Sequence, residues 1–152
     1  MPGEIVLPRS PGTYLLILHL PTPCPIAIGR LGEQPLAAGF YSYVGSALGP
    51  GGLAGRLKHH LRPVRRPRWH VDYLRAAAPV VALCHVVGER RREHDWAMRL
   101  AGEFSTVLPG FGTSDCRCRS HLLYSEAFPA TLAGYLAHAF PDDPPPHCLP
   151  LE

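Results

Sequence analysis

No stretch of this 152-residue chain approaches the ~20 consecutive apolar residues needed to span a bilayer, so no transmembrane helix and no membrane partner are expected. The opening MPGEIVLPRS carries an acid and prolines where a signal peptide needs a basic and then an apolar region, which leads us to expect a cytoplasmic protein. Cysteine is scarce and odd in number: Cys24, Cys84, Cys116, Cys118 and Cys148. Without a secretory signal that count argues against a disulfide framework and for reduced thiols.

Acid is missing altogether between Glu33 and Asp72, while Arg56, Lys58, Arg62, Arg65, Arg66 and Arg68 all fall in that gap. One surface should therefore be strongly positive, although the net charge is only +3. Clustered arginines suit a polyanion, because neutralising a phosphate backbone releases counterions. A merely solvated basic face is the alternative, and a single lysine against fourteen arginines is also what base composition alone can produce. On charge alone both readings stand.

What the chain does have is 46% hydrophobic residues and only 18% charged ones, the balance of a globular protein. A chain of this length buries roughly 68–70% of its unfolded surface around one core. We read one domain over residues 1–140 and a Pro-rich tail, expected to be poorly ordered, over 141–152.

Periodicity orders the elements. GTYLLILHL (12–20) reads as a buried strand; PIAIGRLG (25–32) and LAAGFYSYVGSA (36–47) flank the turn-like GEQP and read as a hairpin. Leu53, Leu57 and Leu61 recur every four residues, one helical stripe, with Arg56 and His60 sharing the flank beside it. A short helix is expected within 66–78, a strand over 80–87, a helix over 92–104, a loop over 108–120, a strand over 121–125 and a helix over 130–140. Glu93 lies one turn before Trp96 and starts the face that packs on the sheet, whereas Asp95, about 200° round the helix, points elsewhere. An acid in a first helical turn also has a purely structural use, because it complements the helix dipole.

Taken together, Gly12-Thr13-Tyr14, Tyr43-Val44-Gly45, Arg56 with His60 four residues on, and Glu93 on a later helix resemble the GIY-YIG nuclease pattern. GTYLL, IGRLG, YVGSA, WHVDYL and GFGTSDCRCRSHL are most similar to the branch called domain of unknown function 123, found alone or fused to endonuclease III-type glycosylases. The resemblance implies an α+β fold, with a small antiparallel sheet of three core strands and one or two extra, flanked by helices. It also implies a divalent-metal-dependent nuclease that hydrolyses phosphodiesters in DNA, with RNA left open, in repair or end processing. A base-excision glycosylase partner follows by the same analogy. The alternative is a binding module on that fold that has lost catalysis.

Carried onto this sequence, Tyr14 and Tyr43 match the motif tyrosines, Arg56 the motif arginine, His60 the polar residue one turn later and Glu93 the metal-binding glutamate. Glu93 would hold one Mg²⁺ or Mn²⁺, leaving the remaining positions to water and phosphate. Arg56 would grip phosphate oxygens through its planar fork. A tyrosine with a pKa near ~10 is a poor base unless a cation lowers it. Arg56 and the metal are expected to do so, making Tyr43 or Tyr14 the proton acceptor with His60 assisting.

His70 is a secondary candidate for positioning or proton transfer, against the reading of a helix cap or surface residue. His59 is expected to face solvent beside Lys58 and is left out of the catalytic set. Lys58, Arg62, Arg65, Arg66 and Arg68 would track the nucleic-acid backbone. The family's asparagine beyond the glutamate has no counterpart, since the chain contains no asparagine, and Ser105, Ser114 or Asp115 are the possible substitutes. Cys116, Cys118 and His121 supply three soft zinc ligands, one short of a tetrahedral set, so buried or loop-stabilising thiols are the preferred reading.

Overall fold

The computed structural model describes residues 6–112, 118 and 120–151. Its centre is β1 (Gly12–Leu20), whose run of apolar side chains is buried on both faces, as a strand covered on both sides requires. β1 pairs antiparallel with β4 (Gly39–Ala47) on one side and β5 (Val80–Val87) on the other. With β6 (Ser105–Thr106), β7 (Leu122–Ser125) and β8 (His147–Pro150) the sheet runs β6-β7-β4-β1-β5-β8, every pairing antiparallel.

Alternation along β1 assigns the layers. Tyr14, Leu16 and Leu18 meet Leu53 and Leu57 of α1 (Gly52–Leu61) and Val71 and Leu74 of α2 (His70–Arg75). Leu15 and Ile17 meet Trp96 and Leu100 of α3 (Glu93–Ala101) and Leu132 and Leu136 of α4 (Leu132–Ala139). The α+β architecture expected from the sequence is the observed one.

Three local expectations need correction. The GEQP segment is not the turn of a hairpin onto β4: Glu33–Leu36 forms β3, which pairs with β2 (Cys24–Ala27) as a separate two-stranded sheet. Ile26 and Leu36 seal that ribbon onto the first core layer, so it is the burial of two side chains that overrides the turn chemistry of the segment. The tail is not loose, because His147–Pro150 adds β8 to the edge of β5, an edge position being where a strand tolerates proline. That pairing sets Cys148 directly opposite Cys84, and the two form a disulfide instead of remaining reduced. No helix among the described residues is long and apolar enough to cross a membrane.

Candidate functional site

The ladder between β4 and β7 ends at Tyr43↔Leu122, with one further bond from Val44 N–H to the His121 carbonyl. Beyond it the last residues of β4 border a cleft of about 380 Å³ lined by Tyr43, Arg56, Arg68, His70 and Glu93. Tyr43 and Glu93 reach this cleft from opposite faces of the sheet: Tyr43 belongs to the α1 layer, while α3 packs on the other layer through Trp96 and Leu100. The end of the β7 ladder is thus what lets one cleft draw on both layers.

Tyr14 and His60 are not cleft residues. They lie behind it, fully buried or nearly so, with the Tyr14 hydroxyl 2.7 Å from His60 Nε2 and the Tyr14 and Tyr43 rings 6.4 Å apart. Gly45 explains the motif glycine. It pairs with Tyr14 across the strands, and a β-carbon there would stand 2.5 Å from the Tyr14 Cζ and hydroxyl. Only a residue without a side chain leaves room for the phenol.

The protein's own groups do not by themselves lower either phenol. Burial pushes the Tyr43 phenol up to about 12, the Glu93 charge adds to this, and Arg56 opposes it without prevailing. Tyr14 is raised well above its ordinary value, first by burial and then by Tyr43, again against the charge and hydrogen bond of Arg56. His60 is pushed down to about 3 by burial and by the neighbouring Arg75 charge. At neutral pH both phenols keep their protons and His60 is uncharged. Desolvation outweighs a single nearby guanidinium.

Arg56 is held flat. Its guanidinium lies 4.6 Å from the centroid of the Trp69 ring, and that of Arg68 lies 5.3 Å from the same ring. Such stacking fixes the planar fork while leaving its N–H groups able to donate. Trp69 is the N-cap of α2, and Asp72 places it there: Asp72 Oδ2 accepts the backbone N–H groups of Arg68 at 2.8 Å and Trp69 at 3.0 Å. Burial works to raise the Asp72 carboxyl, but those two donors and His59 outweigh it, so its pKa is lowered.

His59 is accordingly not a solvent-facing neighbour of Lys58. It is half-buried, with Nε2 3.2 Å from Asp72 Oδ1. Arg75 completes the network, donating to the carbonyls of His59, His60 and Arg62 at the end of α1 and standing 3.6 Å from Asp72 Oδ1. These donors satisfy the last carbonyls of a helix stopped by Pro63.

His70 is more than a cap. Its Nδ1 accepts the Gly112 N–H at 2.9 Å, which leaves the proton of the neutral ring on Nε2, and burial lowers its pKa. A neutral donor on the wall of the cleft results. The backbone geometry of Gly112, with φ at +68°, makes that contact one that favours glycine.

Glu93 opens α3 as expected and is the acidic residue of the cleft. Its Oε1 accepts the Ser46 hydroxyl at 3.1 Å and stands 3.6 Å from Arg91 Nε and 3.4 Å from His94 Nε2; its Oε2 is 4.0 Å from His121 Nδ1. Asp95 does point elsewhere, towards Arg90 at 3.8 Å. Ser105 is exposed on β6 and is not a cleft residue. Ser114, Asp115 and Cys116 lie outside the described residues. Cys118 and His121 do come together, and His94 joins them.

The basic run divides. Arg62, Arg65 and Arg66 line a second concavity of about 440 Å³ together with His59 and Arg75, Arg68 belongs to the cleft, and Lys58 is exposed and lines neither. Ser46, Trp69, Asp72, Arg75, Arg91 and His94 are site residues that the sequence reading missed. For Ser46 a signal was present, since it directly follows the motif glycine in YVGSA. For Asp72 the signal was an acid three residues past the N-cap, where a carboxylate reaches back to the helix start.

Neither a curated protein nor a solved structure matches the chain. A family model described as Domain of unknown function DUF123 matches residues 13–140, which contain all of the cleft residues and the pair behind them, and the chain belongs to that family.

Proposed function

We propose that the cleft is the active site of a divalent-metal-dependent nuclease of the GIY-YIG type, acting on DNA in repair or end processing. The observation that carries the reading is convergence: Tyr43, Arg56 and Glu93 line one cleft although they come from β4, α1 and α3 on two layers of the fold. In-line attack on a phosphodiester needs a positioned water, charge neutralisation at the nonbridging oxygens and help for the leaving oxygen.

This chain's residues divide those tasks. The stacked Arg56 fork binds the nonbridging oxygens, with Arg68 beside it on Trp69. Tyr43 holds the attacking water by hydrogen bonding at the cleft wall. Tyr14 and His60 form a buried pair behind it that fixes the phenol layer. His70, with its proton on Nε2, donates a hydrogen bond to the scissile group. Glu93 fits a hard cation, since its carboxylate and the neighbouring Ser46 hydroxyl supply oxygen donors and leave water in most positions. When bound, Mg²⁺ or Mn²⁺ supplies Lewis-acid polarisation of the phosphate and favours ionisation of neighbouring water and phenol.

The binding-only reading has one observation in its favour, the two phenols raised by burial. A labelled DNA panel of single strands, duplexes, flaps and abasic sites, incubated with Mg²⁺ or Mn²⁺, separates the two. We expect cleavage that is lost in Glu93→Ala and Arg56→Ala while circular dichroism stays unchanged. Binding without cleavage on every substrate would leave only the module, and undiminished cleavage by Glu93→Ala would remove the assigned metal ligand.

A further inference from the structure

A second cluster of ligand atoms lies against Glu93, on residues that do not line the cleft. His94 is in the first turn of α3, while Cys118 and His121 come from the loop leading into β7. One ligand atom from each lies within 4.8 Å of the other two. The His94 and His121 rings are nearly perpendicular, with centroids 5.6 Å apart. His94 Nε2 is buried and makes no hydrogen bond among the described residues.

We propose that His94, Cys118 and His121 bind a zinc ion. The donor set decides the metal: one thiolate and two imidazoles select zinc over magnesium or calcium, which take oxygen. Geometry is close to what is needed. Zinc–nitrogen and zinc–sulfur bonds of about 2.0–2.3 Å place tetrahedral ligands roughly 3.3–3.8 Å apart, so small side-chain rotations close the observed cluster. Three protein ligands leave the fourth position to water, the composition of an open zinc site.

Charge favours the ion as well. The Glu93 carboxylate lies 3.4 Å from His94 Nε2 and 4.0 Å from His121 Nδ1, and so offers negative charge beside the site that complements a cation. The consequence for the fold is a staple between the loop before β7 and the start of α3, next to the residue that faces the cleft. The proposal stands whether or not the cleft cuts nucleic acid, because zinc binding is read without any activity.

The test uses the full chain, purified without a histidine tag, stripped with a chelator and titrated with Co²⁺ and then Zn²⁺. We expect one equivalent of Co²⁺ to give a thiolate-to-metal charge-transfer band that Zn²⁺ displaces, lost in Cys118→Ala and kept in Arg56→Ala. No such band in the wild-type protein overturns the proposal, as does a band that survives in Cys118→Ala. Should Cys118→Ala fail to fold by circular dichroism, His94→Gln takes its place. It must weaken Co²⁺ binding by at least about 10-fold while keeping the band, the least that losing a ligand costs in comparison with losing a supporting hydrogen bond. Unchanged affinity in His94→Gln also overturns the site.

Discussion

The Tyr14 hydroxyl of β1 and Nε2 of His60 on α1 stand 2.7 Å apart across 46 residues of sequence, both buried between sheet and helix. The other ring nitrogen of His60 makes no hydrogen bond among the described residues, so the imidazole's hydrogen bonding there rests on this one contact. Removing the hydroxyl with Tyr14→Phe leaves a buried ring without it, which costs about 1–3 kcal/mol. Urea denaturation of the variant checks this. A loss no larger than that of an exposed Tyr→Phe change would mean that the pair contributes nothing to the fold.

His60 also sets a pH dependence. Its pKa falls from about 6.5 in the unfolded chain to about 3 in the fold, so between those values the unfolded state binds the extra proton. Stability therefore rises with pH through that window and is lost as pH falls below about 6.5, by up to ~1.4 kcal/mol per pH unit for one proton. Above about 6.5 the term is flat. Other histidines with lowered pKa, among them His85 and His121, share the window. The measurement is therefore the difference between wild type and His60→Gln across pH 4 to 7, an interval chosen from the two values above. The variant's stability should depend less steeply on pH, and parallel curves would contradict the assignment.

The acid and the guanidinium of the cleft act on Tyr43 in opposite directions. Glu93 raises its pKa and Arg56 lowers it, on top of the burial that brings it to about 12. Without metal, Glu93→Gln should therefore lower the Tyr43 pKa and Arg56→Ala should raise it. Ultraviolet titration of tyrosinate, each variant compared with the same variant carrying Tyr43→Phe, isolates the residue. Added Mg²⁺ should lower the value in wild type and not in Glu93→Gln. A shift of the wrong sign in either variant would show that the two charges do not face the phenol.

Much of this site was legible because its residues obey local rules. Tyr14 and Tyr43 lie on strands whose apolar runs are unmistakable, Arg56 and His60 on a helix whose leucines repeat every four residues, and Glu93 one turn before a buried Trp96. What could not be read is what depends on distant pairing. Nothing near Cys148 announces that its strand lies opposite Cys84, and nothing near His94 announces a cysteine 24 positions on. The balance at the phenols has a different origin: proximity to Arg56 was foreseen, but the desolvation that outweighs that one charge is a property of the assembled core.

The Cys84–Cys148 disulfide closes a loop over a sequence separation of 64 and ties β8 to the sheet. On chain-entropy grounds a loop of that length stabilises by about 4 kcal/mol, native strain aside. Cys84→Ser, or wild type under a reducing agent, should therefore lose about 2–4 kcal/mol in denaturant titrations. Cys24→Ser, whose thiol is outside the disulfide, should respond to the reducing agent as wild type does. Stability that ignores the reductant would show that β8 stays in place without the bond.

The basic run makes the last prediction, because the fold divides it. Arg65 and Arg66 line the second concavity with Arg62, whereas Arg99 is exposed on α3, on the other side of the sheet. If the concavity follows a phosphate backbone, each arginine that touches a phosphate contributes about one unit to the slope of log binding constant against log salt. Arg65→Ala with Arg66→Ala should then flatten the slope for duplex DNA by about two units, and Arg99→Ala should leave it unchanged. Fluorescence anisotropy over a salt series measures both. Equal effects from the two faces would mean that the attraction comes from net charge alone, and an unaltered slope in the double variant would make this face ordinary solvated surface.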